Sequence, residues 1–266
     1  SCAYMALPKE PRQKMINIMY LVLTALLAIN ISAEILNAFK TINESLEKTN
    51  AAVNASTSQI IASLAQKLND PATRDRATIW KPKADQVAGY AKETYDYIES
   101  LKKEIIAAST SGDQLKEDDQ NATTRILVKE GKGKQLLEML KKYKSSVLGT
   151  DTLINNSFAN NFAVNLDPPK SQNSNKKTWE EAYFYMSPTV GALSILSKFQ
   201  NDVRTSENKV VTFCHEQVGK VEVVFDSYAA IVGQNSNYLM PGQKIEIKAG
   251  IGAFSKEAKP TITIGG

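Results

Sequence analysis

One histidine, His215, and two cysteines, Cys2 and Cys214, are all the soft ligands and strong nucleophiles in this 266-residue chain. That scarcity excludes several chemistries. A structural or catalytic metal site draws three or four ligands at suitable spacing, and Cys214-His215 stands without a second histidine or a cysteine cluster. With a single histidine no Ser-His-Asp set has independent support. Gly131-Lys132-Gly133-Lys134 lacks the earlier glycine and the following Ser/Thr of a phosphate loop, so it reads as a solvated turn. The chain is expected to be no enzyme and to use no cofactor. A disulfide framework is missing too. The net charge of +4 is small and spread along the chain, which leaves no basic stripe for nucleic acid. Glu117-Asp118-Asp119 reads as a solvated acidic run, and Trp80, Trp179 and Tyr183-Phe184-Tyr185 as packing residues.

Charge is also missing from one long stretch. Met15 to Ala33 carries no charged side chain and is mostly apolar. As a helix rising about 1.5 Å per residue it would nearly cross the ~30 Å hydrocarbon core of a bilayer. Lys9, Arg12 and Lys14 precede it, and no comparable basic cluster follows closely. Basic residues stay on the cytoplasmic side. The expectation is therefore a single inner-membrane anchor in the lipid bilayer: residues 1–14 cytoplasmic, a transmembrane helix over 15–36, the bulk periplasmic. The two cysteines would then lie on opposite sides and not pair. The competing expectation is a cleaved signal peptide, which has a shorter apolar stretch and a small-x-small cleavage site. Here Ile31-Ser32-Ala33-Glu34-Ile35-Leu36 continues the helical pattern. Ser1 to Tyr4 stand ahead of a Met-Ala start at Met5.

Asn17, Tyr20 and Thr24 share one face of that helix, and Asn30 adds a further polar group. Polar side chains in a membrane helix usually face a neighbouring helix. They read either as a partner face or as a modest dimer seam with water-facing ends. Glu34 marks the outer interface or sits at membrane depth in a tilted helix.

The segment Pro11-Arg12-Gln13-Lys14-Met15-Ile16-Asn17-Ile18-Met19-Tyr20-Leu21-Val22, followed by Ala25-Leu26-Leu27-Ala28-Ile29-Asn30 and Ser32-x-Glu34-Ile35, resembles the amino-terminal signature of the GldM/PorM family of gliding motility and type IX secretion in Bacteroidota. The resemblance is dense over these residues and becomes architectural beyond them. It implies a homodimer whose membrane helices sit inside a ring of a GldL/PorL-type multi-span partner, the two converting proton-motive force into mechanical work. It also implies a periplasmic part reaching toward a GldK/GldN (PorK/PorN) ring through regions mostly outside this chain. Carried over residue by residue, it implies that Arg12, with Lys14 beside it, pairs with a membrane-embedded Glu of the partner. An arginine can bind a carboxylate bidentately, and protonation of that carboxylate would break the pair. Read from charge placement alone, Arg12, Lys9 and Lys14 are topology anchors that snorkel to phospholipid.

Past the anchor, Ile35, Phe39, Ile42 and Leu46 alternate spacings of four and three, and Phe39, Leu46, Val53 and Ile60 repeat every seven residues. This spacing fits a coiled seam or an ordinary bundle helix with one apolar stripe. Asn69-Asp70-Pro71 ends the helix. A second pattern starts near Pro82 with Val87, Tyr90, Thr94, Ile98, Leu101 and Ile105. A third carries Leu136, Leu140, Tyr143 and Val147, and a fourth follows Ser187-Pro188 with Leu193, Leu196, Phe199 and Val203. The Asn-rich stretch from Asn155 to Thr178, with Pro168-Pro169, reads as a long surface loop. After Gly219, Val221–Phe225, Tyr228–Val232, Lys244–Lys248 and Thr261–Ile264 read as strands. The expected fold is membrane-anchored and mainly α: a periplasmic helical bundle over 37–219, then the start of a sandwich-like β domain over 220–266, cut before its sheet closes.

Two functions compete for this pattern. One is an energy-transducing motor subunit. The other is a passive tether between the inner membrane and a periplasmic or outer-membrane secretion assembly. A receptor would need a cytoplasmic signalling domain, for which the residues ahead of the span leave no room.

Overall fold

Helical periodicity dominates what folds. A computed structural model describes residues 11–29, 33–169, 178–219, 227–234 and 247–254. The helices are α1 (Pro11–Ile29), α2 (Ala33–Lys67), α3 (Arg74–Ser109), α4 (Asn121–Thr123), α5 (Lys132–Gly149), α6 (Thr152–Phe158), α7 (Trp179–Phe184) and α8 (Thr189–Gly219). A π-helical turn (Thr124–Lys129) runs on from α4, and a small hairpin, β1 (Thr110–Ser111) with β2 (Gln114–Leu115), turns at Gly112.

The core is built from matched stripes. α3 turns Ala77, Trp80, Ala84, Val87, Ala91, Ile98, Leu101 and Ile105 inward. α5 adds Leu136, Leu140, Tyr143 and Val147, the set that its spacing of three and four residues predicts. α8 contributes Leu196, Phe199, Val203, Val210, Val211 and Cys214. Trp179 meets Phe199 tilted at 5.5 Å between centroids and Tyr183 meets it edge-on at 5.4 Å, and Trp80 and Phe158 meet Phe213 edge-on at 5.9 and 5.6 Å. Each such aromatic pair contributes about 0.5–1.5 kcal/mol beyond the area it buries.

Three expectations need correction. Among the described residues no helix is long and apolar enough to cross a membrane, so the expected transmembrane helix over 15–36 is not found. The reason is where α1 begins and ends. Pro11, Arg12, Gln13 and Lys14 form its first turn and it stops at Ile29. Its uncharged part, Met15–Ile29, supplies roughly 22 Å against the ~30 Å hydrocarbon core. The second helix starts at Arg74, two turns before Pro82, which lies inside it on an exposed face. Burial of Ala77 and Trp80 outweighs the single backbone bond that the proline removes. The stretch read as one long surface loop begins inside α6, and Val164 within it is fully buried. Trp179 Nε1 donates to the Leu166 carbonyl at 3.0 Å and Tyr183 Oη to that of Asp167 at 2.9 Å. These bonds tie the segment to α7, whose start is set by a capping box between Thr178 and Glu181.

The chain divides into two compact units, Ser1–Val218 and Gly219–Gly266. In the second, β3 (Ser227–Gln234) and β4 (Ile247–Phe254) pair antiparallel, from Ser227 opposite Phe254 to Gln234 opposite Ile247. The expected strands at Val221–Phe225 and Thr261–Ile264, and most of Lys244–Lys248, lie outside the described residues.

Candidate functional site

Every third or fourth residue of α2 faces the bundle, and this stripe alternates between apolar and polar. It reads Phe39, Asn43, Leu46, Asn50, Val53, Thr57, Ile60, Leu64. A matching stripe on α8 is polar over most of its length, with Ser194, Ser197, Asn201, Arg204, Asn208 and His215. The two stripes meet as a ladder. Ser194 Oγ donates to the Phe39 carbonyl at 2.8 Å, and Ser197 Oγ to Asn43 Oδ1 at 2.6 Å. Asn201 Nδ2 donates to Asn50 Oδ1 and Asn208 Nδ2 to Thr57 Oγ1, both at 3.0 Å. Ser63 Oγ and His215 Nε2 close the series at 2.9 Å. Residue numbers rise together on both sides, so α2 and α8 run parallel. Asn43, Asn50, Thr57 and Leu64 repeat every seven residues, as do Ser194, Asn201, Asn208 and His215. That common repeat keeps the rungs in step.

A buried cation crosses the seam from a third helix. Lys102 of α3 keeps 7 % of its side chain exposed, and its Nζ donates to Glu47 Oε1 on α2 and Ser197 Oγ on α8, both at 2.9 Å, and to Gln200 Oε1 at 3.4 Å. Its three protons are thus all used. Gln200 Nε2 in turn donates to Glu99 Oε2 at 3.0 Å. Burial works to raise the Glu47 carboxyl, but the bonds from Lys102 and Asn43 outweigh it and hold the group below its usual value.

Further along α8, Arg204 pairs with Glu207 at 2.9 Å and lies 4.4 Å from the Tyr95 ring centre. Burial raises Glu207 even against that arginine, and it raises Asp202 although Lys198 lies 2.7 Å away. Tyr143 Oη donates to the Val203 carbonyl at 3.1 Å and shares a hydrogen bond with Ser206 at 2.8 Å. At the other end of the ladder a cleft of about 150 Å³ opens between Asn43, Leu115, Val190 and Leu193, and the 2.7 Å pair Lys40–Glu117 lines it.

The residues singled out by sequence divide between two places. Arg12, Lys14, Asn17, Tyr20 and Thr24 are exposed on α1, and Thr24 Oγ1 donates back to the Tyr20 carbonyl at 2.7 Å. Asn30 lies outside the described residues, and Glu34 is exposed in the first turn of α2. Phe39, Leu46 and Val53 are half-buried on the bundle-facing stripe, whereas Ile42 is 50 % exposed on another face. The polar rungs and Lys102 escaped the sequence reading, although the two seven-residue polar repeats were its available signal.

The N-terminal domain of the GldM family matches residues 34–216, more than half of the chain and the whole of the ladder. This match begins after the segment Pro11–Val22 that opens the resemblance noted from sequence. A search of curated proteins finds no match. The match over residues 34–216 identifies the chain as a member of the GldM family, a component of gliding motility and type IX secretion.

Proposed function

We propose that the chain is a motor subunit: with a GldL/PorL-type partner it turns proton-motive force into mechanical work that drives secretion and gliding. Arg12, with Lys14 beside it, is the coupling group on this side. A titratable carboxylate of the partner holds the guanidinium when ionised and releases it when protonated. The observation that carries the reading is the seam. α2 starts at Ala33, close in sequence to the end of α1 at Ile29, and its position along α8 is held by register-specific hydrogen bonds. Displacement at α1 therefore has a mechanical path into the helical unit. No bond-making chemistry on this chain is required.

Arg12→Ala tests the coupling. The expected result is loss of secretion at normal expression, with the variant still co-purifying with its membrane partner. Normal secretion by that variant removes Arg12 from the mechanism. Persistence of secretion after an ionophore collapses the proton gradient, with the subunit intact, would reduce the protein to a passive tether.

A further inference from the structure

α2 is attached to the helical unit in two unlike ways along its length. Toward its C-terminal end Leu64 is fully buried in the hydrophobic core, and Ile60, Ile61 and Leu68 pack against that core. Upstream of Ile60 the apolar residues on the inward stripe, Phe39, Leu46 and Val53, are only half-buried. The buried side chains in that part are Asn50 and Thr57. The upstream portion is held by amide and hydroxyl rungs and by the Lys40–Glu117 and Lys102–Glu47 pairs, and the Glu47 side chain is already 50 % exposed.

We infer that α2 is a hinged arm: its upstream portion lifts off α8 and α3, pivoting on the apolar anchor Ile60–Leu68, while α3, α5, α7 and α8 stay packed. The energetics favour this division. A neutral hydrogen bond that water can replace contributes only about 0.5–1.5 kcal/mol net, whereas pulling a leucine out of a core costs about 2–5 kcal/mol. The surface uncovered on α8 carries Ser194, Ser197, Asn201, Arg204 and Asn208, which water satisfies once α2 has gone. Lifting also uncovers the rest of Phe39, Leu46 and Val53, which are only half-buried when the arm is closed. An interface meant to stay shut is normally filled with apolar side chains, and the anchor is filled that way. The rungs then act as a latch that closes in one register.

The inference goes beyond the motor reading, because it concerns the isolated protein and requires neither a partner nor a proton gradient. Its test is thiol protection in the full chain carrying Cys2→Ser. Asn50→Cys places a thiol on a site that is 2 % exposed in the seam, and the native Cys214, fully buried on the core side of α8, is the internal reference. The expected result is that the new thiol reacts at least about 100-fold faster than Cys214, with little urea dependence, because it opens below the free energy of global unfolding. Thr57→Cys, likewise 2 % exposed in the seam, is expected to open with the same free energy. Joining residues 50 and 201 as a disulfide in the Asn50→Cys/Asn201→Cys variant is expected to hold α2 down, so that hydrogen exchange over residues 39–57 slows while that of α5 is unchanged. Reaction of both seam thiols only in step with Cys214, with the steep urea dependence of complete unfolding, overturns the inference. So does a disulfide that leaves exchange in α2 unaltered.

Discussion

Gly133 shows how a tertiary contact can reverse a local rule. Inside a helix alanine is favoured over glycine by about 1 kcal/mol. At the start of α5, however, a Cβ on residue 133 would stand 2.6 Å from the Leu127 carbonyl oxygen and 2.7 Å from Glu180 Cβ. Backbone cannot give way there as a flexible side chain would. Gly133→Ala is therefore expected to destabilise the helical unit by roughly 1–3 kcal/mol in chemical denaturation, the opposite of the propensity effect. Asp151 carries two roles. It caps α6 by accepting from the Leu153 N–H at 2.7 Å, and it pairs with Lys83 at 2.6 Å. The hydrogen bond from Lys83 holds its carboxyl below the usual value. Its contribution is thus complete above the ordinary carboxylate range and disappears as pH falls through the depressed value. Asp151→Ala is expected to cost about 1–2 kcal/mol at neutral pH and to flatten the acid limb of a stability–pH curve. His215 works in the same direction for a different reason. Burial and then the ammonium of Lys67 on α2 lower its pKa, with Glu216 on its own helix opposing. The fold prefers the neutral ring, so stability is full above about 6.5 and falls as acid charges the ring. Replacing His215 by Gln should remove that part of the slope between pH 7 and 5, read as the difference between variant and parent.

At the scale of elements, α5 and the later part of α3 were plain in the sequence because large apolar residues recur at spacings of three and four, Leu136, Leu140, Tyr143 and Val147 on one and Ile98, Leu101 and Ile105 on the other. The seam was not. Asn43, Asn50 and Thr57 occupy the inward positions where a hydrophobic pattern is sought, and they become interior only because α8 offers matching amides and hydroxyls. That information is non-local. The start of α3 was hidden by Pro82, and α7 by its Asn-rich approach. The uncharged run Met15–Ala33 read as one span because sequence alone does not show that the helix begins among charges and ends at Ile29. Lys102 tests what the seam is worth. Methionine matches the volume of its stem and removes the cost of burying a charge, but it leaves the buried Ser197 Oγ and Gln200 Oε1 without their donor, so Lys102→Met is expected to lower global stability by about 1–3 kcal/mol. The same change removes the strongest link from α3 to α2, and thiol reactivity at residue 50 in the Asn50→Cys background should rise. Acid acts on the same link: below the depressed Glu47 pKa the carboxylate is lost, and α2 should be released more readily.

For the whole molecule, the sole thiol in the described residues belongs to the helical unit. Burial keeps Cys214 fully covered and pushes its pKa up to about 12. In Cys2→Ser protein it should resist iodoacetamide at neutral pH and become reactive only as the unit Ser1–Val218 unfolds. Its labelling then follows that unit alone, since β3 and β4 contain no cysteine.

Parallel rungs have a directional consequence. A force drawn along the axis of α2 from Ala33 shears every rung at once, so the bonds share the load and the joint is stiff. A force across that axis peels them in sequence, beginning where Ser194 meets Phe39, and each yields alone. The same contacts are therefore firm under thrust and soft under bending, which makes the angle of pull, as much as its size, decide whether motion passes through.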